Sequence, residues 1–228
     1  MKLIRTKRDH IAAARKICLK KFLHYFRKGF TDEKYIAWER KYKIDAHLQF
    51  EEKLNRQSFK KLLSARSYNI ISQAAIQIES KTNLLFSFEK IAIRDAVRST
   101  EGAELFAIGL FEWLYGNGMV QRRFEKFVDV LSSLPRKQTR VLSWPLVTVF
   151  GFIAQPDRHI FLKPKVTRAA AEKYQFDLDY ITPPNWDTYE STLTFADQVR
   201  RDTKQFRPKD YIDLQSFIWV LGSNEYPD

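Results

Sequence analysis

Apolar positions recur at spacings of three and four residues along most of the chain, and that spacing predicts helices. From Ile11 to Phe26, the residues Ile11, Ala14, Cys18, Phe22 and Phe26 fall on one stripe. Arg15, Lys16, Lys20 and Lys21 lie largely off it, so this element reads as a basic amphipathic helix. Gly29 is a stop signal, and Thr31 is placed to cap the next helix, which would run over 32–54 with acids in its first turn. Further helices are predicted over 58–80 and 82–97. Another is predicted over 101–115, where Ser99 and Thr100 offer caps and Gly116-Asn117-Gly118 ends the element.

The pattern continues with a helix over 120–134 that ends before Pro135. The stretch 140–154 is apolar nearly all round, which predicts burial. Its Val and Phe content would also suit a strand, but Pro145 fits a first helical turn better. A short helix follows from Pro164. Asp187 with Glu190 resembles a capping box for the next one. The last helix covers 210–221 and is closed by Gly222, and Ser223 to Asp228 read as a tail. The expected fold is all-α, a compact multi-helix body of about nine or ten helices with an N-terminal basic amphipathic helix. The expected organisation is that helix over 1–30 and one helical domain over 31–228, with a possible subdivision at 116–118.

Charge changes this picture in one place. The chain carries +12, and residues 1–30 hold ten Lys/Arg against the single acid Asp9. The basicity is therefore mostly one element, which suggests a polyanion or an acidic partner surface. The alternative is a solvated face. With 44% hydrophobic residues in 228, the chain can bury a substantial core, and it has no apolar run of the roughly 18 residues that would span a bilayer. Arg15, Lys16, Lys20 and Lys21 interrupt any secretory apolar region, and Cys18 is the only cysteine. These features lead to the expectation of a reduced, cytoplasmic location.

The search for chemistry gives little that is catalytic. His10, His24, His47 and His159 show no i, i+4 pair, so neither a metal site nor a cofactor is expected. The seven glycines form no phosphate loop, there is no GxSxG, and Cys18 on an apolar stripe reads as core. Glu79-Ser80-Lys81 matches the E-x-K half of a metal-dependent nuclease core. Such a core needs a strand and an upstream carboxylate, for which Asp45 is the nearby aspartate.

Nucleic acid is the stronger reading, because Lys and Arg neutralise phosphates and aromatics offer stacking surface. Arg136, Lys137 and Arg140 stand beside Trp144. Arg158, His159, Lys163, Lys165 and Arg168 crowd a corner at the start of the helix from Pro164, where exposed N–H groups attract anions. With Arg15, Lys16, Lys20 and Lys21, these are the candidate binding residues. The alternative for the corner is a polar loop in which Asp157 and Arg158 pair with each other.

Two resemblances bear on this. "HIFLKPKVTRAAAEKY" and "IDLQSFIWVLGSNEYPD" resemble a group of uncharacterised bacterial proteins of similar length, over about residue 30 to the end. That resemblance implies a bacterial or phage-related source and supplies no activity. The order Leu134-Pro135, "RKQTRV", apolar helix, "PDRH" and "VTRAAAEKY" is similar to the helix-hairpin-helix DNA glycosylases over 134–174. Both hairpin glycines are missing. Arg140 stands where some members carry a catalytic lysine, and Asp157 matches the acidic residue only with a shifted loop. This resemblance implies a helical DNA-binding body without the base-excision chemistry.

The expectation is a non-catalytic nucleic-acid-binding subunit, DNA before RNA, of a bacterial DNA-processing or genome-defence complex. A partner protein would supply enzymatic activity, and no membrane is involved. A scaffold docking on an acidic partner, and a metal-dependent nuclease, stay open beside it.

Overall fold

In the computed structural model residues 2–135 and 141–228 are described, with residues 2–7 described by their backbone alone. Within these residues every regular element is helical and there is no strand. The elements are α1 (Lys2–Tyr25), α2 (Glu33–Tyr35), a π-helical segment (Ile36–Arg40), α3 (Lys41–Leu54), α4 (Arg56–Ser64) and α5 (Tyr68–Ser80). They continue with α6 (Ser87–Ala96), α7 (Thr100–Tyr115), α8 (Val120–Ser133), α9 (Trp144–Ala154), α10 (Pro164–Lys173), α11 (Trp186–Asp202) and α12 (Tyr211–Gly222). No described helix is long and apolar enough to cross a membrane.

The chain divides into two compact units. Unit 1 comprises Met1–Lys41, Lys163–Tyr180 and Asp187–Asp228, and unit 2 comprises Tyr42–Leu162 and Ile181–Trp186. The turn at 116–118 lies inside unit 2, where α7 and α8 pack on each other, so the division runs elsewhere than that turn. Nor is α1 a separate element, because it packs on α12 and α10 within unit 1.

Unit 1 is built on aromatic rings. Cys18, Phe22 and Phe26 from the apolar stripe of α1 are buried. The Phe22 ring lies 5.0 Å from Phe30 and 5.0 Å from Phe217 on α12. Gly29 has φ +61 and faces Phe206, whose ring would lie 2.8 Å from an added Cβ, so both backbone and packing ask for glycine at this helix exit. Asp32, one residue later than expected, caps α2 by accepting from the Lys34 N–H. A charged network ties the π-helical segment to α12. Arg40 donates to both Asp210 oxygens and to Asp213, while Tyr35 donates to Asp213. Gly222 belongs to the last turn of α12 rather than following it, and an added Cβ would meet the Val166 carbonyl oxygen of α10 at 2.1 Å. Its function is close helix approach.

Unit 2 has α7 at its centre, packed on α4, α5, α8 and α9. Every residue of α9 is buried, and Pro145 sits in its first turn beside the capping hydroxyl of Ser143. This settles helix over strand for that stretch. The helix predicted over 58–80 is two helices, broken at Arg66, which takes φ 52. α6 starts at Ser87, later than predicted, because the Glu89 carboxylate accepts the Phe86 N–H and closes the turn there.

Candidate nucleic-acid interface

The amphipathic register of α1 decides which of its cations are available. Lys16, Lys20 and His24 are exposed on α1 four residues apart, so they form one ridge, and Arg27 is exposed in the turn just beyond the helix. None of the described residues pairs with Lys16, Lys20 or Arg27. Like charges at this spacing destabilise a helix by a few tenths of a kcal/mol per pair. The other two expected α1 cations face inward and are paired. Arg15 reaches Asp202 at 3.2 Å and lies over the Tyr174 ring. Lys21 reaches Asp228 at 2.6 Å.

The corner from Gln155 to Arg168 is divided between the two units. Arg158 and His159 belong to unit 2, and Lys163, Lys165 and Arg168 to unit 1. His159 is 2% exposed and its ring lies 4.3 Å from Trp113. Its pKa is lowered to about 3, first by burial and then by the charges of Arg123 and Arg158. At neutral pH it is an uncharged core residue, which removes it from the phosphate-binding set. Gly151 allows this packing, since an added Cβ would meet Trp113 Nε1 at 2.8 Å and His159 Cγ at 3.2 Å. Nearby, Gln155 Nε2 and Arg123 Nη1 donate to carbonyls at the end of α7 and so cap it. Arg158 stays exposed and pairs at 3.5 Å with exposed Asp157.

In unit 1, Lys163 is buried and its ammonium lies 5.4 Å from the Trp219 ring centre, so it packs rather than reaching out. Lys165 and Arg168 are exposed on the first turns of α10. Pro164 opens that helix, and the Arg168 guanidinium lies 5.0 Å from the Tyr180 ring centre. These residues line an open groove of ≈ 680 Å³ with Phe176 and Leu178. Arg136, Lys137 and Arg140 lie outside the described residues.

Three features escaped the sequence reading. His24 continues the ridge at i, i+4 from Lys20, which was the available signal, and Arg27 adds an exposed cation just past the helix end. Tyr180 backs Arg168 across a loop. Trp38 is 55% exposed on the π-helical segment, with the Lys34 ammonium 4.2 Å from its ring centre.

The nuclease motif is otherwise engaged. Glu79 stands on α5, not on a strand, and is 2% exposed. Its carboxylate accepts from the Thr82 hydroxyl at 3.1 Å and lies 3.7 Å from the Lys90 ammonium. Burial raises its pKa against the pull of Lys90. Lys81 donates instead to Gln49 at 2.6 Å. Among the described residues no three His, Cys, Asp or Glu side chains gather as a metal site. Burial also pushes the Cys18 thiol up to about 11, which leaves it protonated at neutral pH.

No family model, curated protein or solved structure matches the chain.

Proposed function

We propose that this chain is a cytoplasmic, non-catalytic subunit that binds nucleic acid, DNA before RNA, through phosphate contacts made by unit 1. One observation carries the reading: exposed Lys16 and Lys20 on α1, with Arg27 just beyond it, have no acidic partner among the described residues, while the inward cations Arg15, Lys21 and Arg40 are all neutralised. Charges kept at helix-destabilising spacing are stabilised by a polyanion, whose counterions they release on binding. Lys165 and Arg168 would add a second contact, and Tyr180 and Trp38 offer ring faces for stacking. A DNA-processing or genome-defence complex, with catalysis on a partner chain, is the setting we propose by analogy.

A titration of labelled duplex and single-stranded probes across salt concentrations tests the proposal. Each phosphate contact should contribute a slope near −0.9 for duplex and about −0.7 for single strands in log affinity against log salt. Substituting Lys16, Lys20 and Arg27 by Gln should flatten that slope by about two to three. Affinity that ignores salt in both proteins rules the reading out.

A further inference from the structure

A second groove of ≈ 710 Å³ runs beside α1, distinct from the Lys165–Arg168 groove. Its floor is apolar, formed by Ala14, Ile17 and Leu221, and its rim is cationic, with Lys20, Lys21, His24 and Lys173. The volume falls in the range typical of ligand sites, about 300–1,000 Å³. Asp228 is the one acid that lines it.

The chain itself displays the ligand chemistry that this wall accepts. The stretch expected to be a free tail is instead seated on α1. The Tyr226 ring packs 4.9 Å from Tyr25 and 5.9 Å from Phe26, and its hydroxyl donates to Glu39 at 2.6 Å. The Pro227 carbonyl accepts from the Tyr25 hydroxyl at 2.6 Å. The Asp228 carboxylate accepts from Lys21 at 2.6 Å and from Lys173 at 2.8 and 2.6 Å. A backbone carbonyl, an apolar ring and a carboxylate are thus read in sequence from one peptide. Beyond it, Ile17 remains 67% exposed, and Lys20 and His24 remain in solvent.

We infer that this groove docks an acidic, apolar peptide segment of a partner protein, with aliphatic side chains on Ala14, Ile17 and Leu221 and carboxylates against Lys20 and the Lys21–Lys173 pair. Charge complementarity selects the occupant, since four basic side chains face one acid. Nucleic acid fits less well, because the floor is aliphatic and the Tyr25 ring that lines the groove is already engaged by Tyr226 and the Pro227 carbonyl. A membrane surface fits less well too. Cys18, Phe22 and Phe26 of the apolar stripe are committed to the core, which leaves Ile17 as the exposed large apolar side chain on the described part of α1. This site shares Lys20 with the nucleic-acid reading, but Lys16 and Arg27 do not line the groove, so the two can be tested apart.

The probe is a fluorescein-labelled peptide of alternating leucine and glutamate, followed by anisotropy with the whole protein. It should bind, and a leucine–lysine peptide should not. Ile17→Asp changes an exposed residue, so the fold should survive, as a melting curve will verify. It should weaken the acidic peptide about tenfold or more. Asp228→Asn releases Lys21 and Lys173 and should tighten it about threefold or more. Lys16→Gln should weaken duplex DNA and leave the peptide unchanged, which separates failure here from failure of the nucleic-acid reading. The inference is overturned by no binding, by equal binding of the basic peptide, by indifference to Ile17→Asp or Asp228→Asn, or by phosphatidylglycerol vesicles that displace the peptide.

Discussion

On α1, Lys16, Lys20 and His24 stand in solvent while Arg15 and Lys21 turn inward to acids, whereas in the comparably basic stretch around residue 159 it is His159 and Lys163 that are buried and Arg158, Lys165 and Arg168 that stay exposed. There His159 packs against Trp113 and Lys163 over Trp219, while Arg158 lies beside Asp157 and Lys165 and Arg168 stand on the first turns of α10. The residue types are nearly the same. What differs is how each stretch is anchored. α1 has a continuous apolar stripe that determines which face is wet. Within unit 2 the corner follows the fully buried α9, where the Leu162 N–H donates to the Thr148 hydroxyl and His159 packs against Trp113. An apolar stripe therefore tells which cations of a helix stay in solvent, and where no stripe runs, as in the corner, only the tertiary partners decide.

The largest expected effect that would break this contrast comes from the corner. His159→Ala should cost about 2–4 kcal/mol of stability, as for other buried large-to-small changes, while leaving nucleic-acid affinity of the folded protein unchanged. Denaturant melts with a binding titration check both parts. The pH dependence follows from the same burial. The folded pKa of about 3 lies below the ordinary value of 6.5, so the unfolded chain binds the proton more readily. This contribution is fully present above about pH 6.5 and is lost as pH falls from there towards about 3, on the order of 5 kcal/mol in total. His159→Gln should remove that slope, which melts across this window will measure.

Gly222→Ala should be next, at about 1–3 kcal/mol, because the new methyl meets backbone of α10 rather than a side chain that can turn away. It tests packing within unit 1 without touching a cation, and thermal melting is the readout. On the ridge the sizes invert. Lys16→Gln with Arg27→Gln should change stability by no more than about 0.5 kcal/mol while lowering duplex affinity by about tenfold at low salt. The smallest effect should be Arg158→Ala, within about 0.5 kcal/mol, because its partner Asp157 is equally exposed. A large loss of binding from Arg158→Ala would mean that the corner reaches phosphate after all.

Much of the helical layout was legible in periodicity. The stripe of Cys18, Phe22 and Phe26 is buried as its spacing predicts, α9 is enclosed on all sides, and Ser99 caps α7 with its hydroxyl. The misses have local physical causes. Arg66 breaks one predicted helix in two by taking a left-handed conformation that carries no glycine signal. Gly222 looked like a stop because a terminal glycine often is one, but what it serves is the approach of Val166, a residue far away in sequence. The segment Ser223–Asp228 looked like a tail because nothing nearby could hold it. Its anchors are Tyr25, Glu39, Lys21 and Lys173, all distant in the chain.

The candidate site shows the same division. The ridge could be read from spacing on one helix, since a helix fixes which side chains share a face. The inward pairing of Arg15 and Lys21 could not, because Asp202 and Asp228 arrive from unit 1 segments nearly two hundred positions later. By itself the sequence determined the all-helical class, the positions of most helices and the concentration of charge on α1, because these depend on neighbours three or four residues apart. Tertiary structure alone decided which cations stay in solvent, that His159 is neutral core, that Gly222 is a contact rather than a stop, and that the last residues are clasped to α1. Those outcomes rest on desolvation and on partners that only folding brings within reach.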